Sequence, residues 1–126
     1  MALACPCGSG EPYADCCRPL VRGEREAATA SALMRSRYTA YVRGDRDYLS
    51  RTWHPSTRPS PLALEPVQWR GLDVGDVTGG GEQDQEGTVT FTAHWLDERG
   101  VPGTMRETSR FVREGGRWLY KDGTVS

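Results

Sequence analysis

The chain has 126 residues, of which 37% are hydrophobic, and this size fits one domain with a short appendage. Its net charge of -1 gives no reason to expect nucleic acid or an anionic membrane as a partner, since both call for a strongly basic surface. No stretch reaches the roughly 20 apolar residues of a membrane helix and the N-terminus lacks a secretory signal, so the sequence predicts a cytoplasmic protein.

All the cysteines of the chain lie close to its N-terminus, at Cys5, Cys7, Cys16 and Cys17. So short a segment cannot form a hydrophobic core, and four thiolates around one zinc ion would hold it together. Two disulfides are an alternative. Cys16 and Cys17 are too close for a relaxed bridge with each other, whereas cross-pairings to Cys5 and Cys7 are feasible but need an oxidising compartment. An iron–sulfur cluster is a third alternative, and the spacing favours structural zinc.

The sequence predicts two units, a zinc knuckle over residues 1–23 and an α+β domain over residues 24–126. The first is crowded with glycine and proline, and the composition changes to good helix formers after Gly23. Because the knuckle has no core of its own, removal of the metal is expected to disorder residues 1–23 and to spare the rest.

Two helices are predicted to follow the knuckle. A stripe of side chains at steps of three and four residues indicates an amphipathic helix that Gly44 ends. A shorter helix is expected over residues 45–52, with Asp45 as its N-cap and with Tyr48 and Leu49 pointing inward. Four prolines between residues 55 and 66 then predict a long loop. The stripe of the first helix consists of Ala30, Met34, Arg37, Tyr38 and Tyr41.

Beyond Trp69 the hydrophobic period changes to two residues, which is typical of strands. Strands are predicted over residues 72–77, 88–96, 104–113 and 117–122, joined by turns rich in glycine. Short connections make this order an antiparallel meander, and helices followed by strands indicate an α+β fold.

Several segments resemble a known family. Cys5-Pro6-Cys7-Gly8-Ser9-Gly10, followed by Tyr13 and Cys16-Cys17, is similar to the SEC-C zinc motif of the preprotein translocase motor, in which the knuckle makes protein contacts. Residues 32–41, 52–59 and 109–111 resemble the bacterial YchJ family, which pairs an SEC-C motif with a nuclear transport factor 2-like domain. The resemblance implies that the four cysteines are the metal ligands. It also implies helices packed on a curved antiparallel sheet, the cone shared with cystatin-like folds, and it implies no reaction.

A curved sheet of this kind often leaves a cleft against its helix. Glu107 and Ser109 alternate in phase with apolar residues, so they either line this cleft or lie on an exposed face, or Glu107 forms an ion pair with Arg37 or Arg110. Burial of Arg37 on the helical stripe would require an acidic partner. His54 could act as a general base only with an orienting partner, and a hydrogen-bonded structural role is its alternative. The candidate pocket residues are Arg37, Tyr38, Tyr41, Trp53, His54, Glu107, Ser109, Trp118 and Tyr120.

Two functions are consistent with these features. The first is a non-enzymatic binding module, in which the zinc knuckle engages a protein partner and the α+β domain binds a small or peptidic ligand. The alternative is a small hydrolase or isomerase that uses Glu107 and His54 in the cleft. The sequence assigns no catalytic residue and no oligomeric state.

Overall fold

The computed structural model describes residues 3–126 and has two halves, helical first and then a sheet. Its short elements are a 3₁₀ helix, Tyr13–Asp15, and helix α1, Arg18–Val21. The longer helices are α2, Ala30–Arg43, and α3, Arg46–Arg51. The strands are β1, Gln68–Gly79; β2, Glu86–Leu96; β3, Pro102–Glu114; and β4, Arg117–Val125.

Helix α2 is capped at both ends by residues suited to that role. The Thr29 side chain accepts a hydrogen bond from the Ala32 amide at 3.0 Å, and Gly44 ends the helix in the left-handed conformation at φ 70°. The Ala30 amide also donates to the Gly80 carbonyl, which ties the first turn to the end of β1. Gly80 has a φ of 74°, and a Cβ there would lie 2.7 Å from that of Ala30, so only glycine fits.

The four strands form one antiparallel sheet in the order β1-β2-β3-β4. The register shifts within β1 and again where β3 pairs with β4, between Arg110 and Phe111. Such bulges bend a strand and increase its local twist. Val89, Ala93 and Phe111 are buried on the face that α2 covers, whereas Thr90 and Thr108 pair through their hydroxyls on the other face.

The knuckle packs directly on the rest of the molecule. Cys5, Cys7 and Cys17 belong to the same buried cluster as Leu33 and Phe111. Several side-chain contacts cross the predicted boundary at residue 23. The Arg35 guanidinium donates to the Cys7 carbonyl, Arg51 donates to the Val21 carbonyl, and the Thr39 hydroxyl lies 3.7 Å from the Cys5 sulfur. The division into two units stays a prediction, but these contacts argue against structural independence of residues 24–126 from the knuckle.

The predicted α+β class is confirmed by these elements. The helical stripe, the Asp45 cap of α3, the loop between α3 and β1, and the four-stranded meander are all present. Two details differ. Strand β1 begins four residues earlier than expected, at Gln68, and the knuckle contains the short helix α1, which the cysteine pattern did not indicate. Among the helices of residues 3–126, none is long and apolar enough to cross a membrane.

Candidate functional site

The four cysteine sulfurs converge on one point beside α2. All of them lie within 4.8 Å of one another; the Cys7 and Cys16 sulfurs are 3.7 Å apart, and those of Cys16 and Cys17 are 3.9 Å apart. They are free thiols, so the predicted alternative of two disulfides is not what the structure shows. Their grouping is that of a site able to hold one metal ion.

Local structure brings these sulfurs together. The Cys5 amide donates to the Glu11 carbonyl and the Tyr13 amide donates to the Leu3 carbonyl, which closes a small hairpin. Gly8 turns the chain at a φ of 78°, with its amide on the Cys5 carbonyl. After this hairpin the 3₁₀ helix carries the chain back, so that Cys16 and Cys17 face the pair on the hairpin.

The surroundings of Cys7 favour the thiolate form of its side chain. A hydrogen bond from Cys17 and further bonds from Ser9 lower the pKa of the Cys7 thiol to about 4, although burial acts in the opposite direction. The same bond with Cys7, together with burial, raises the pKa of the Cys17 thiol. Metal ligation requires thiolates, and the lowered pKa of Cys7 favours one at this position.

A cavity of about 250 Å³ lies between α2 and the sheet. Its wall is mostly aromatic, with methionine and alanine side chains filling the spaces between the rings. The aromatic residues of the wall are Tyr38, Tyr41, Trp53, Trp69, Phe91, Phe111 and Tyr120. The polar residues of the wall are Arg37, Glu65, Glu107 and Ser109.

Arg37 places a buried cation at the helical side of this cavity. The side chain is 5% exposed, and its guanidinium lies over two rings, 5.0 Å from the centroid of Trp53 and 4.7 Å from that of Tyr120. One of its nitrogens donates to the Leu49 carbonyl at 2.9 Å and to the Thr52 hydroxyl at 2.7 Å.

The expectation that a buried Arg37 would have an acidic partner is wrong within residues 3–126. The ion pairs there join His54 to Glu114, His94 to Asp73 and Arg110 to Asp122. Neutral oxygens and the negative faces of two rings surround the guanidinium in place of a carboxylate, and these contacts suit a guanidinium because it is weakly hydrated and stacks well. Burial lowers the pKa of Arg37, and nearby tyrosines and Glu107 act in the opposite direction.

Glu107 lies on the sheet side of the same cavity. One of its carboxylate oxygens accepts hydrogen bonds from the Ser109 hydroxyl and, at 3.2 Å, from the Tyr120 hydroxyl. Of the ion pairs considered for this residue, the one with Arg110 is excluded, because Arg110 binds Asp122 through two nitrogens on the far face of the sheet. Glu107 and Ser109 therefore line the cavity, which is one of the placements that the strand alternation allowed.

Trp53 carries an unusual polar atom. Its indole nitrogen, Nε1, is buried and has no hydrogen-bond partner among the residues that the structure describes. Buried donors are nearly always satisfied, so this unpaired N–H in a residue of the cavity wall is an exception that an acceptor would relieve.

Two predicted pocket residues lie elsewhere. His54 is outside the cavity wall, with Nε2 bonded to Glu114 at 2.9 Å and Nδ1 accepting from the Ser56 amide and hydroxyl. Both ring nitrogens are thus engaged, and the proposed Glu107–His54 pair is not brought together. Trp118 is also outside the wall, because its ring is buried toward α2 and its nitrogen donates to the Ala28 carbonyl.

Sequence reasoning did not assign several residues of the wall. Glu65 comes from the proline-rich loop, and no periodicity could place it. Phe91 lies on a strand position whose alternation did indicate an apolar face. Its neighbours on that face, Ala93 and Met105, follow the same alternation and could have been included.

Comparisons with known proteins match both parts of the chain. A family model described as "YchJ, middle NTF2-like domain" matches residues 29–123, and one described as "SEC-C motif" matches residues 2–19. A UPF0225 protein of Streptomyces coelicolor is 50% identical over 94% of this chain and 93% of its own length. The UPF0225 protein YchJ of Shigella dysenteriae is 43% identical over 98% of this chain and 84% of its own length.

Two solved structures have the same fold. The solution structure of an SEC-C motif containing protein from Rhodopseudomonas palustris is 36% identical, with a TM-score of 0.86 over 97% of this chain and 98% of the other. The crystal structure of an SEC-C motif containing protein from Psychrobacter arcticus is 28% identical, with a TM-score of 0.78 over 98% of this chain and 82% of the other. The curved-sheet fold that the sequence resemblance implied is thereby supported.

The Tyr120 phenol provides a test of the cavity's electrostatics. Burial, and then the Glu107 carboxylate, raise the pKa of Tyr120 above its ordinary value. Above about pH 10 the unfolded chain loses the phenol proton of Tyr120 while the native state keeps it. The free energy of unfolding therefore falls as the pH rises through this range. Tyr120→Phe should lose stability less steeply above about pH 10, by up to about 1.4 kcal/mol per pH unit. Urea unfolding of the wild-type and Tyr120→Phe proteins at neutral and at alkaline pH measures these stabilities. The same stability difference between the two proteins at both pH values would contradict the prediction.

Proposed function

The chain belongs to the YchJ family, and from that membership we propose that it is a non-enzymatic binding module with a structural zinc site and a ligand cavity. The knuckle of residues 3–23 is the zinc-binding part, and the cavity between α2 and the sheet takes a small or peptidic ligand. The observation that carries the proposal is the aromatic cavity of about 250 Å³, into which the buried Arg37 and the hydrogen-bonded Glu107 both face.

Zinc fits the cysteine cluster by donor type and by spacing. Four sulfurs bound tetrahedrally at about 2.3 Å from one zinc ion stand about 3.8 Å apart. The 3.7 Å and 3.9 Å separations from the Cys16 sulfur to those of Cys7 and Cys17 agree with that spacing. Four protein ligands would complete the zinc shell, which is the arrangement of structural sites. Thiolates of this kind persist in a reducing compartment, which supports a cytoplasmic location.

A protein partner for the knuckle is part of the proposal. The hairpin loop that carries Ser9 and Gly10 is exposed, and Leu3 beside it is 82% exposed, whereas the sulfurs behind them are mostly buried. The metal would therefore stiffen an exposed loop without presenting an open coordination position. Such a rigid surface suits contact with another protein, as the SEC-C resemblance implied.

The cavity is shaped for binding rather than for the considered hydrolase or isomerase chemistry. The enzymatic alternative requires Glu107 and His54 to reach the same reacting atoms in the cleft. His54 is held by Glu114 and Ser56 outside the cavity wall, so Glu107 lacks the partner that the enzymatic alternative assigned to it.

Metal content tests the first half of the proposal. The chain purified under reducing conditions should contain about one zinc ion, and Cys17→Ser should lose most of it because a hydroxyl is a poor replacement for a buried thiolate. Ser9→Ala is the matched control, since Ser9 contacts the Cys16 sulfur at 3.1 Å without being a ligand. Elemental analysis gives the result. Absence of metal, together with a mass that fits two disulfides, would rule the site out.

Binding of a small aromatic compound in the cavity tests the second half of the proposal. Indole, a neutral aromatic probe, should shift the NMR signals of cavity residues in the full chain, because the wall is lined with rings. Ala93→Leu fills part of the cavity and should weaken indole binding about tenfold or more, whereas Thr92→Leu adds similar bulk on the opposite face of β2 and should not. Equal affinity in both variants, or shifts confined to other regions, would refute a ligand cavity.

A further inference from the structure

We propose that the cavity takes a small zwitterion with an apolar body, of the kind that an aromatic or branched aliphatic amino acid represents. Its carboxylate would meet Arg37 and Trp53 on the helical side, and its ammonium group would meet Glu107 on the sheet side. This inference rests on the proposed function, because it names the ligand class of the same cavity.

The first argument is the unpaired charge of Arg37. A guanidinium stays protonated in proteins, and a buried charge is normally paired with an opposite one. Within residues 3–126, the ion pairs found at up to 4.0 Å include no partner for Arg37, although its side chain is 5% exposed. Its contacts with Leu49 and Thr52 use only one of its nitrogens. Since Arg37 also lines the cavity, a ligand carboxylate is the counter-charge that this end lacks.

The second argument is the orphan donor next to that cation. The Trp53 ring lies 5.0 Å from the Arg37 guanidinium carbon, and its Nε1 has no acceptor among the described residues. Trp53 belongs to the cavity wall as well. A cation and an indole N–H at the same end both call for an acceptor, and a carboxylate has acceptor positions for both.

The third argument is the open capacity of Glu107. A carboxylate has about four acceptor positions on its two oxygens. The hydroxyls of Ser109 and Tyr120 both donate to the same oxygen, Oε2, which leaves Oε1 for a donor from the ligand. Glu65 adds a second carboxylate to the cavity wall, and an amino group is the donor that carboxylates favour by charge.

A ligand with one charge fits less well than a zwitterion. The Tyr120 ring lies 4.7 Å from the Arg37 guanidinium carbon, and its hydroxyl donates to Glu107. Tyr120 therefore contacts both charged groups, whereas the guanidinium of Arg37 and the carboxylate of Glu107 form no ion pair with each other. A simple carboxylate would face Glu107 and Glu65 uncompensated, and a simple amine would leave Arg37 unpaired. Apart from Ser109, the rest of the wall consists of aromatic, methionine and alanine side chains, which suit an apolar body.

Four compounds with nearly the same aromatic body separate these cases: L-phenylalanine, 3-phenylpropionate, 2-phenylethylamine and 3-phenylpropanol. Titration calorimetry on the full chain under reducing conditions gives the affinities. L-Phenylalanine should bind at least about tenfold more tightly than each of the other three, because a charged hydrogen bond is worth about that much.

Two variants locate the charges. Glu107→Gln should reduce the affinity for L-phenylalanine about tenfold and leave that for 3-phenylpropionate unchanged or higher. Trp53→Phe keeps a ring but removes Nε1, so it should weaken both carboxylates severalfold and leave 2-phenylethylamine unchanged. Glu114→Gln and Trp118→Phe are the matched controls, because they make the same changes outside the cavity wall, and they should alter none of the affinities.

The outcomes distinguish this inference from the proposed function. If 3-phenylpropionate or 2-phenylethylamine binds as tightly as L-phenylalanine, the zwitterion is wrong and the ligand cavity stands. If none of the four compounds binds, including the neutral alcohol, the proposed ligand cavity fails as well. Should Glu107→Gln not fold, the affinities of the wild-type chain for the four compounds still decide the question.

Discussion

The structure depends on the burial of helix α2 on two opposite sides. Arg35 and Thr39, one turn apart, face the knuckle, where they contact the backbone of Cys7 and the sulfur of Cys5. Arg37 and Tyr41, also one turn apart, face the cavity. A helix of 14 residues with polar side chains on both sides can be buried in this way only if the polar groups on each side find hydrogen-bonding or stacking partners. The knuckle provides them on one side, and α3 together with Tyr120 of the sheet provides them on the other.

The cavity follows from the same constraint. Ser36 is fully buried and bonds to the Tyr48 hydroxyl at 2.7 Å, which fixes α3 against α2. This positions Leu49 and Thr52 to receive Arg37 and carries Trp53 onto the edge of β4, where it meets Tyr120. Arg37 is thereby held against α3 and the Tyr120 ring, and it forms no ion pair with Glu107. A charged residue that completes the helix packing also lines the cavity.

Much of the fold could be predicted from the sequence because its signals are local. The spacing of the cysteines, the cap at Asp45 and the alternation along β2 each reflect contacts within one element or between neighbours. The alternation along β3 likewise put Glu107 and Ser109 on one face with apolar residues, and that face lines the cavity. The errors concern long-range contacts. His54 was assigned to the cleft because it follows Trp53, but its partner Glu114 is 60 residues away in sequence, and no pattern indicated it.

The independence of the knuckle was expected for a related reason. A segment with four cysteines and many glycines suggests a unit held by its metal alone, and nothing in its sequence shows that Cys5, Cys7 and Cys17 are buried against α2. The central claim of this account is that the metal site and the cavity share this helix. Amide hydrogen exchange of the full chain, with metal bound and after chelation, tests it most directly. Faster exchange in residues 30–43 as well as in residues 3–23 is expected after chelation. Unchanged exchange in residues 30–43 would contradict the claim.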